Sequence, residues 1–176
     1  MFTALDAPPS ALDPGETTFI TKLREHGWCI TNVFADKEGP GFAYTTGFWV
    51  SVGAPEVIVF SLEANIAHTI LWEIYRGLKS GRQLLVGQRV AEVFLTGDAM
   101  FLPVGDSQYP NYLGWSRWFY GGDQFPCVQL VWPDTNETFP WEPGYEQRFT
   151  KSQPDLTGGD WLGHSGLAGS TSDDAP

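Results

Sequence analysis

Three side chains able to move protons stand at the ends of expected elements: His26, Glu56 and Asp134. They are the candidate catalytic residues. His26 lies in His26-Gly27-Trp28, at a helix-to-strand junction. An imidazole there serves as general base or hydrogen-bond donor, or it merely caps the last helical carbonyls. Glu56 follows Pro55 and opens an apolar run. At the surface it is a solubilising charge. If buried it needs a partner, such as His26 or Arg89, because an unpaired buried carboxylate is costly. Asp134 closes Trp132-Pro133-Asp134 at a strand end, where sites collect. Its structural alternative is an Asx turn towards Asn136.

Tyr44, Thr45, Thr46 and Gly47 are candidate ligand-binding residues, with Tyr120 and Trp132. In an extended strand Tyr44 and Thr46 share one face, and Thr45 shares the other with Gly47. The hydroxyls suit a polar or anionic ligand, and the glycine admits a ligand or another backbone. Threonine and tyrosine are also ordinary strand residues. Tyr120 and Trp132, with Trp118 and Trp141, can stack a flat ligand or simply fill a core.

Several chemistries fall away. Trp132-Pro133-Asp134 resembles the acid loop of tyrosine phosphatases, but Ala35 and Pro133 stand where an arginine must follow Cys29 or Cys127. The glycines of residues 39–41 lack the third member of a dinucleotide motif and lead into a strand. The tail's Gly163-His164-Ser165-Gly166-Leu167 lacks the last glycine of a nucleophile elbow. His26 and Cys29 have an H-x-x-C spacing that Cys127 and His68 could complete. No second tight pair accompanies it, so no metal is assigned, and no cofactor is identified.

The chain has 176 residues, 42% apolar and 15% aromatic, with eight tryptophans. That suffices for one domain with a real core. Net charge is −11, and the ten basic residues are scattered. No cationic face exists for nucleic acid or an anionic membrane. A basic protein partner or an unidentified small molecule remains. The two cysteines sit in apolar runs, as buried thiols do in a reducing compartment. No secretory leader or membrane span is evident, so a cytoplasmic location is expected.

The elements that must position these residues follow from local patterns. Residues 1–12 read as a flexible lead-in. Asp13-Pro14-Gly15-Glu16 starts a helix that Gly27 ends. Strands are expected over 28–34, 42–50 and 56–62, the last central and covered on both faces. A helix over 64–80 places Ile66, Ala67, Ile70, Leu71, Ile74 and Leu78 on one face. Trp72, almost opposite, must be covered by something. Residues 89–95 and 99–104 pair as a hairpin, a helix runs over about 111–120, and 125–132 is a strong strand. A final helical turn begins near Tyr145. From residue 151 the composition turns to Gly, Ser and Asp, the mark of a disordered tail, with Asp160-Trp161-Leu162 a short apolar spot able to dock. The sum is an α+β domain over 13–150. A mostly antiparallel sheet of about six strands, open or barrel-like, packs with two or three helices.

The segments His26-Gly27-Trp28, Tyr44-Thr45-Thr46-Gly47, Pro55-Glu56, Tyr120-Gly121 and Trp132-Pro133-Asp134, in this order, resemble the signature of a bacterial family, the domain of unknown function 4262 family. The resemblance spans about residues 16–150. It implies that His26, Tyr44, Thr45, Gly47, Pro55, Glu56, Trp132, Pro133 and Asp134 match the signature. It implies no activity or cofactor. Phe48 departs from it, where an aliphatic residue is expected. Three functions are compatible with these observations. One is a small-ligand-binding domain or enzyme with a polar cleft around His26, Tyr44, Glu56 and Asp134. The second is an acidic interaction module of the inhibitor or immunity type, without catalysis. The third is a flavin-binding split barrel, for which Arg82 and Arg89 are the plausible phosphate ligands.

Overall fold

Six strands form one sheet in the order β1-β2-β3-β6-β5-β4. They are β1 (Cys29–Val33), β2 (Phe42–Thr46), β3 (Glu56–Phe60), β4 (Arg89–Val90), β5 (Ala99–Pro103) and β6 (Cys127–Val131). The computed structural model describes residues 3–91, 93–94, 97–159 and 161. Every neighbouring pair is antiparallel except β3 and β6, which run parallel. The sheet is α+β, mixed and open, with β1 and β4 as its edges; it does not close into a barrel. All residues of β3 and β6 are buried, Glu56 and Gln129 included, as expected of central strands covered on both faces.

Helices cover both faces. On one side Tyr44, Ile58, Phe60 and Cys127 pack against Phe19, Ile20 and Leu23 of α1 (Pro14–His26) and against Leu113, Phe119 and Tyr120. Phe119 and Tyr120 belong to α5 (Gly114–Tyr120). On the other side Ala43, Val57, Val59, Val128 and Leu130 meet Phe48 of α2 (Phe48–Val52) and Ala67, Ile70, Leu71 and Tyr75 of α3 (Ala64–Lys79). Neighbouring positions of β3 thus feed opposite cores, as the strand period of two requires. Phe48, the departure from the family pattern, is fully buried, its ring edge-on to Trp28 at 5.3 Å. No helix among the described residues is long and apolar enough to cross a membrane.

The start of α1 follows its sequence. Asp13 accepts from the Glu16 N–H, Glu16 accepts from the Asp13 N–H, and Gly27 closes the helix at φ 82°. Three elements differ from expectation. The strand expected over 42–50 stops at Thr46, because Gly47 turns the chain at φ 111° into the short α2. The helix expected over 111–120 is two, α4 (Tyr109–Tyr112) and α5, broken at Leu113. The expected 89–95 strand pairs only at Arg89 and Val90; Glu92, Leu95 and Thr96 lie outside the described residues. Trp72 is covered by its own chain, stacking on Trp28 and Tyr75 at 6.0 Å.

The fold also reaches beyond 13–150. Residues 4–6 and 9–11 form 3-10 turns, Leu5 and Leu12 pack on the α1 core, and Arg24 donates to the Leu5 carbonyl. After residue 150, Gln153, Leu156 and Thr157 are buried. The Gln129 amide donates to the Pro154 carbonyl and accepts from the Leu156 N–H. Trp161 rests on Trp141 at 5.3 Å. The rest of the expected tail, residues 160 and 162–176, lies outside the described residues.

Candidate functional site

All the sequence candidates except His26 gather into two places at opposite ends of the central strands. Glu56 opens β3 opposite Cys127, the first residue of β6. Asp134 follows the far end of β6, whose five residues at about 3.3 Å each separate the two by more than 13 Å.

The first place is a buried carboxylate. Glu56 is fully buried. Its Oε2 accepts from Thr45 Oγ1 at 2.6 Å; its Oε1 accepts from the Gly47 N–H at 2.9 Å, the Trp49 N–H at 3.2 Å and the Tyr120 hydroxyl. Thr45 Oγ1 in turn accepts from the Val57 N–H. Burial pushes the Glu56 carboxyl above its ordinary value, although Thr45, Tyr120, Trp49 and Gly47 oppose the rise. Burial, reinforced by the Glu56 charge, also pushes the Tyr120 hydroxyl and the Cys127 thiol upward. The remaining candidates of this region are inward-facing too. Thr46 bonds Ser116 at 2.7 Å, and Tyr44 Oη accepts from the Trp115 N–H at 3.1 Å. The hydrogen bonds of this region thus run to other groups of the protein.

Gly47 explains why the segment around His26 belongs to the same assembly. A Cβ at Gly47 would stand 2.7 Å from the Gly27 carbonyl and 3.0 Å from Trp28 Cα. The glycine therefore admits another backbone rather than a ligand. Ser51 Oγ donates to that same Gly27 carbonyl. His26 itself is solvent-facing, with Glu25 at 3.7 Å as its ion-pair neighbour; it is not the partner of Glu56. Arg89 is not either, being paired with Glu142. The possible metal quartet is likewise dispersed. Cys29 and Cys127 pack in the α1 core, while His68 stacks on Trp28 on the other face of the sheet. Among the described residues no group of three or more His, Cys, Asp or Glu is placed to hold a metal ion.

The second place is an open cleft of about 1140 Å³ between α3, the Trp132-Pro133-Asp134 loop and Phe149. Ile66, Ile70 and Ile74 line its floor. Asn65, Thr69, Glu73 and Arg76 form a polar row beside them, since residues three and four apart share a helix face. Trp132 is fixed by its indole N–H to the Phe60 carbonyl at 2.9 Å and by Phe149, edge-on at 5.6 Å. Gln153 clasps the Trp132 backbone on both sides, accepting from its N–H and donating to its carbonyl. Asp134 Oδ1 accepts from the Asn136 and Thr138 N–H groups and Oδ2 from the Glu146 N–H. Desolvation works to raise this carboxyl, but the backbone donors of Thr138, Glu146 and Asn136 outweigh it and hold it below the usual range. The described lining contains no histidine or cysteine.

Of the sequence candidates, Trp132 and Asp134 line this cleft; Tyr44, Thr45, Thr46, Gly47, Glu56 and Tyr120 belong to the buried assembly. The sequence pattern places Ile66, Ile70 and Ile74 on the core-facing stripe of the helix. The signal that separates them is the width of the apolar stripe. Ala67, Ile70 and Leu71 suffice to meet the sheet, and Ile66 is left 45% exposed. The flavin reading finds its two arginines apart: Arg82 lines the cleft, whereas Arg89 lies over the Phe139 ring.

The model of a family described as Domain of unknown function (DUF4262) matches residues 22–146, so the chain belongs to that family. Comparisons with curated proteins and with solved structures give no match.

Proposed function

We propose that this member of the domain-of-unknown-function family is a small-molecule-binding domain whose ligand lies in the α3 cleft. The observation that carries this reading is a partly apolar concavity of about 1140 Å³ floored by isoleucines and walled by an anchored tryptophan. Ligand sites have this character: apolar walls with a few fixed polar groups. The Glu56 assembly has a different role. Its hydrogen bonds are spent internally, and it ties the segments around Gly27, Gly47, Glu56 and Tyr120 into one unit. Binding is the activity this lining supports best, because its Asp134 carboxylate already serves three backbone donors and its floor is apolar.

Native mass spectrometry of the gently purified protein tests this. A retained small mass is expected, and Ile66→Arg should lose it while circular dichroism stays unchanged. Ile66 is exposed enough for the substitution to leave the core alone. A protein without retained mass, whose melting point no compound in a diverse small-molecule set raises, would end the proposal.

One observation favours a second reading, an acidic module for a basic protein. Phe34, just past edge strand β1, is 84% exposed on a chain of net charge −11. An open strand edge beside an exposed ring is a pairing surface. A basic protein that copurifies, and is released both by Phe34→Ser and by high salt, would support it; copurification insensitive to both would count against it.

A further inference from the structure

We infer that the cleft ligand is an elongated amphiphile with one anionic head seated at Arg76 and Arg82. This rests on the cleft being the binding site proposed above. The floor is long: Ile66, Ile70, Ile74 and then Gly77 follow one another along α3. At a rise of about 1.5 Å per residue that row extends roughly 16 Å. Such a strip matches an extended apolar chain better than a compact ring system.

The ends of the strip differ in charge. Trp132 bonds the Phe60 carbonyl, just before α3 begins, so the Asp134 and Glu137 side of the cleft lies near the start of the helix. Arg76, Ser80 and Arg82 lie at its other end. The chain has only ten Lys and Arg, and three of the other arginines, Arg89, Arg117 and Arg148, are each held by a carboxylate. Arg76 meets Glu73 at 3.1 Å in an exposed pair that leaves other guanidinium donors open. Arg82 makes no ion pair among the described residues.

Its position is nonetheless built. Gly81 turns the chain at φ 94°, the Arg82 N–H bonds the Gly77 carbonyl at 2.9 Å, and the side chain lies across Gly77. A Cβ on Gly77 would stand 3.4 Å from both Cδ and Nε of Arg82. The guanidinium thus rests on the helix within contact distance of Gly77, at the end of the isoleucine row. An anion is attracted there and repelled at the Asp134 and Glu137 end, which fixes the direction of the ligand.

Isothermal titration with decanoate and with decanol tests this on the full chain. Wild type should bind decanoate more tightly than decanol. Arg82→Gln should weaken decanoate about tenfold or more, as loss of a charge-assisted hydrogen bond does, and leave decanol unchanged. Lys22→Gln, on the opposite side of the sheet, should alter neither. Equal binding of the two probes, or decanoate binding that survives both Arg82→Gln and Arg76→Gln, overturns the anionic head but leaves the cleft standing. Failure of both probes, when other small molecules raise the melting point and Ile66→Arg abolishes their effect, overturns the elongated-amphiphile assignment alone. Failure of every compound removes the cleft reading with it.

Discussion

Replacing Glu56 is the most searching perturbation of this fold. In Glu56→Ala four donors lose the carboxylate: the Thr45 and Tyr120 hydroxyls and the Gly47 and Trp49 N–H groups, of which Gly47 keeps only the Tyr120 oxygen at 3.3 Å. The hydroxyls can rotate towards other acceptors, but the two N–H groups cannot. A buried unsatisfied group costs about 1–3 kcal/mol, and relief of the carboxylate's own burial offsets part of that. The expected loss is about 3 kcal/mol, a large share of a typical domain's stability and roughly 6–12 °C in melting temperature for a chain of this size. Glu56→Gln keeps an oxygen at the Oε1 position for three of the donors, so about 1 kcal/mol is expected. The pH dependence separates charge from shape. A carboxyl raised above its ordinary value near 4.5 binds its proton better in the folded state. Its contribution is therefore full below pH 4.5 and is lost as pH rises through the folded value. Urea titrations from pH 4 to 9 should show wild type losing ground to Glu56→Gln with rising pH. A Glu56→Ala loss below about 1 kcal/mol, or a wild-type advantage that grows with pH, would refute the argument.

Other perturbations follow the same logic. Gly47→Ala should cost about 2 kcal/mol or more, from a left-handed backbone and a Cβ driven into the Gly27 carbonyl, measurable by denaturant unfolding. Gly77→Ala should stabilise α3 by about 0.5–1 kcal/mol, while its methyl, meeting Arg82 at ordinary contact distance, leaves decanoate affinity within a factor of about two by titration. Asp134 and Glu146 are held below their ordinary values, so the stability they lend is present above about pH 4 and is lost as pH falls through the folded values. Asp134→Asn, which keeps an oxygen for the Asn136 and Thr138 N–H groups but removes the charge and the acceptor of the Glu146 N–H, should flatten that acid limb in a pH-melting series. Tyr120→Phe combined with Glu56→Gln should fall short of additivity by about 0.5 kcal/mol or more, a coupling absent when Tyr120→Phe is combined with Asp134→Asn.

The legibility of the fold varied with how local each cause was. The α1 capping box and Gly27 stop are written in adjacent residues, and the burial of Val57, Ile58, Val59 and Phe60 follows from their unbroken apolar run. The strand end at Thr46 was not legible, because Gly47 is required by the approach of Gly27, twenty residues earlier in the chain. The parallel pairing of β3 with β6 was equally hidden, since no local pattern reports which distant strand fills an edge. Glu56 was recognised as needing a partner if buried, but the partners are backbone amides and hydroxyls rather than His26 or Arg89. Residue type alone favours charges over amides in such a search. The cleft was missed for the converse reason: isoleucines read as core wherever they fall on a helix, and only the sheet's width shows which are surplus.

The parallel junction of β3 and β6 has a consequence for synthesis. As the chain emerges, β1, β2 and β3 can zip into an antiparallel meander through a loop and the short α2, but the outer edge of β3 then faces water. Tyr120, 64 residues beyond Glu56, and β6 after it must be made before that edge is paired and the carboxylate gains its last donor. Until then the nascent protein presents an apolar strand with free backbone groups, the feature through which chains join one another. The ionised Glu56 at the head of that strand, costly in the finished core, acts in the meantime as a gatekeeper: a charge on a sticky edge that is withdrawn only when the rightful neighbour arrives.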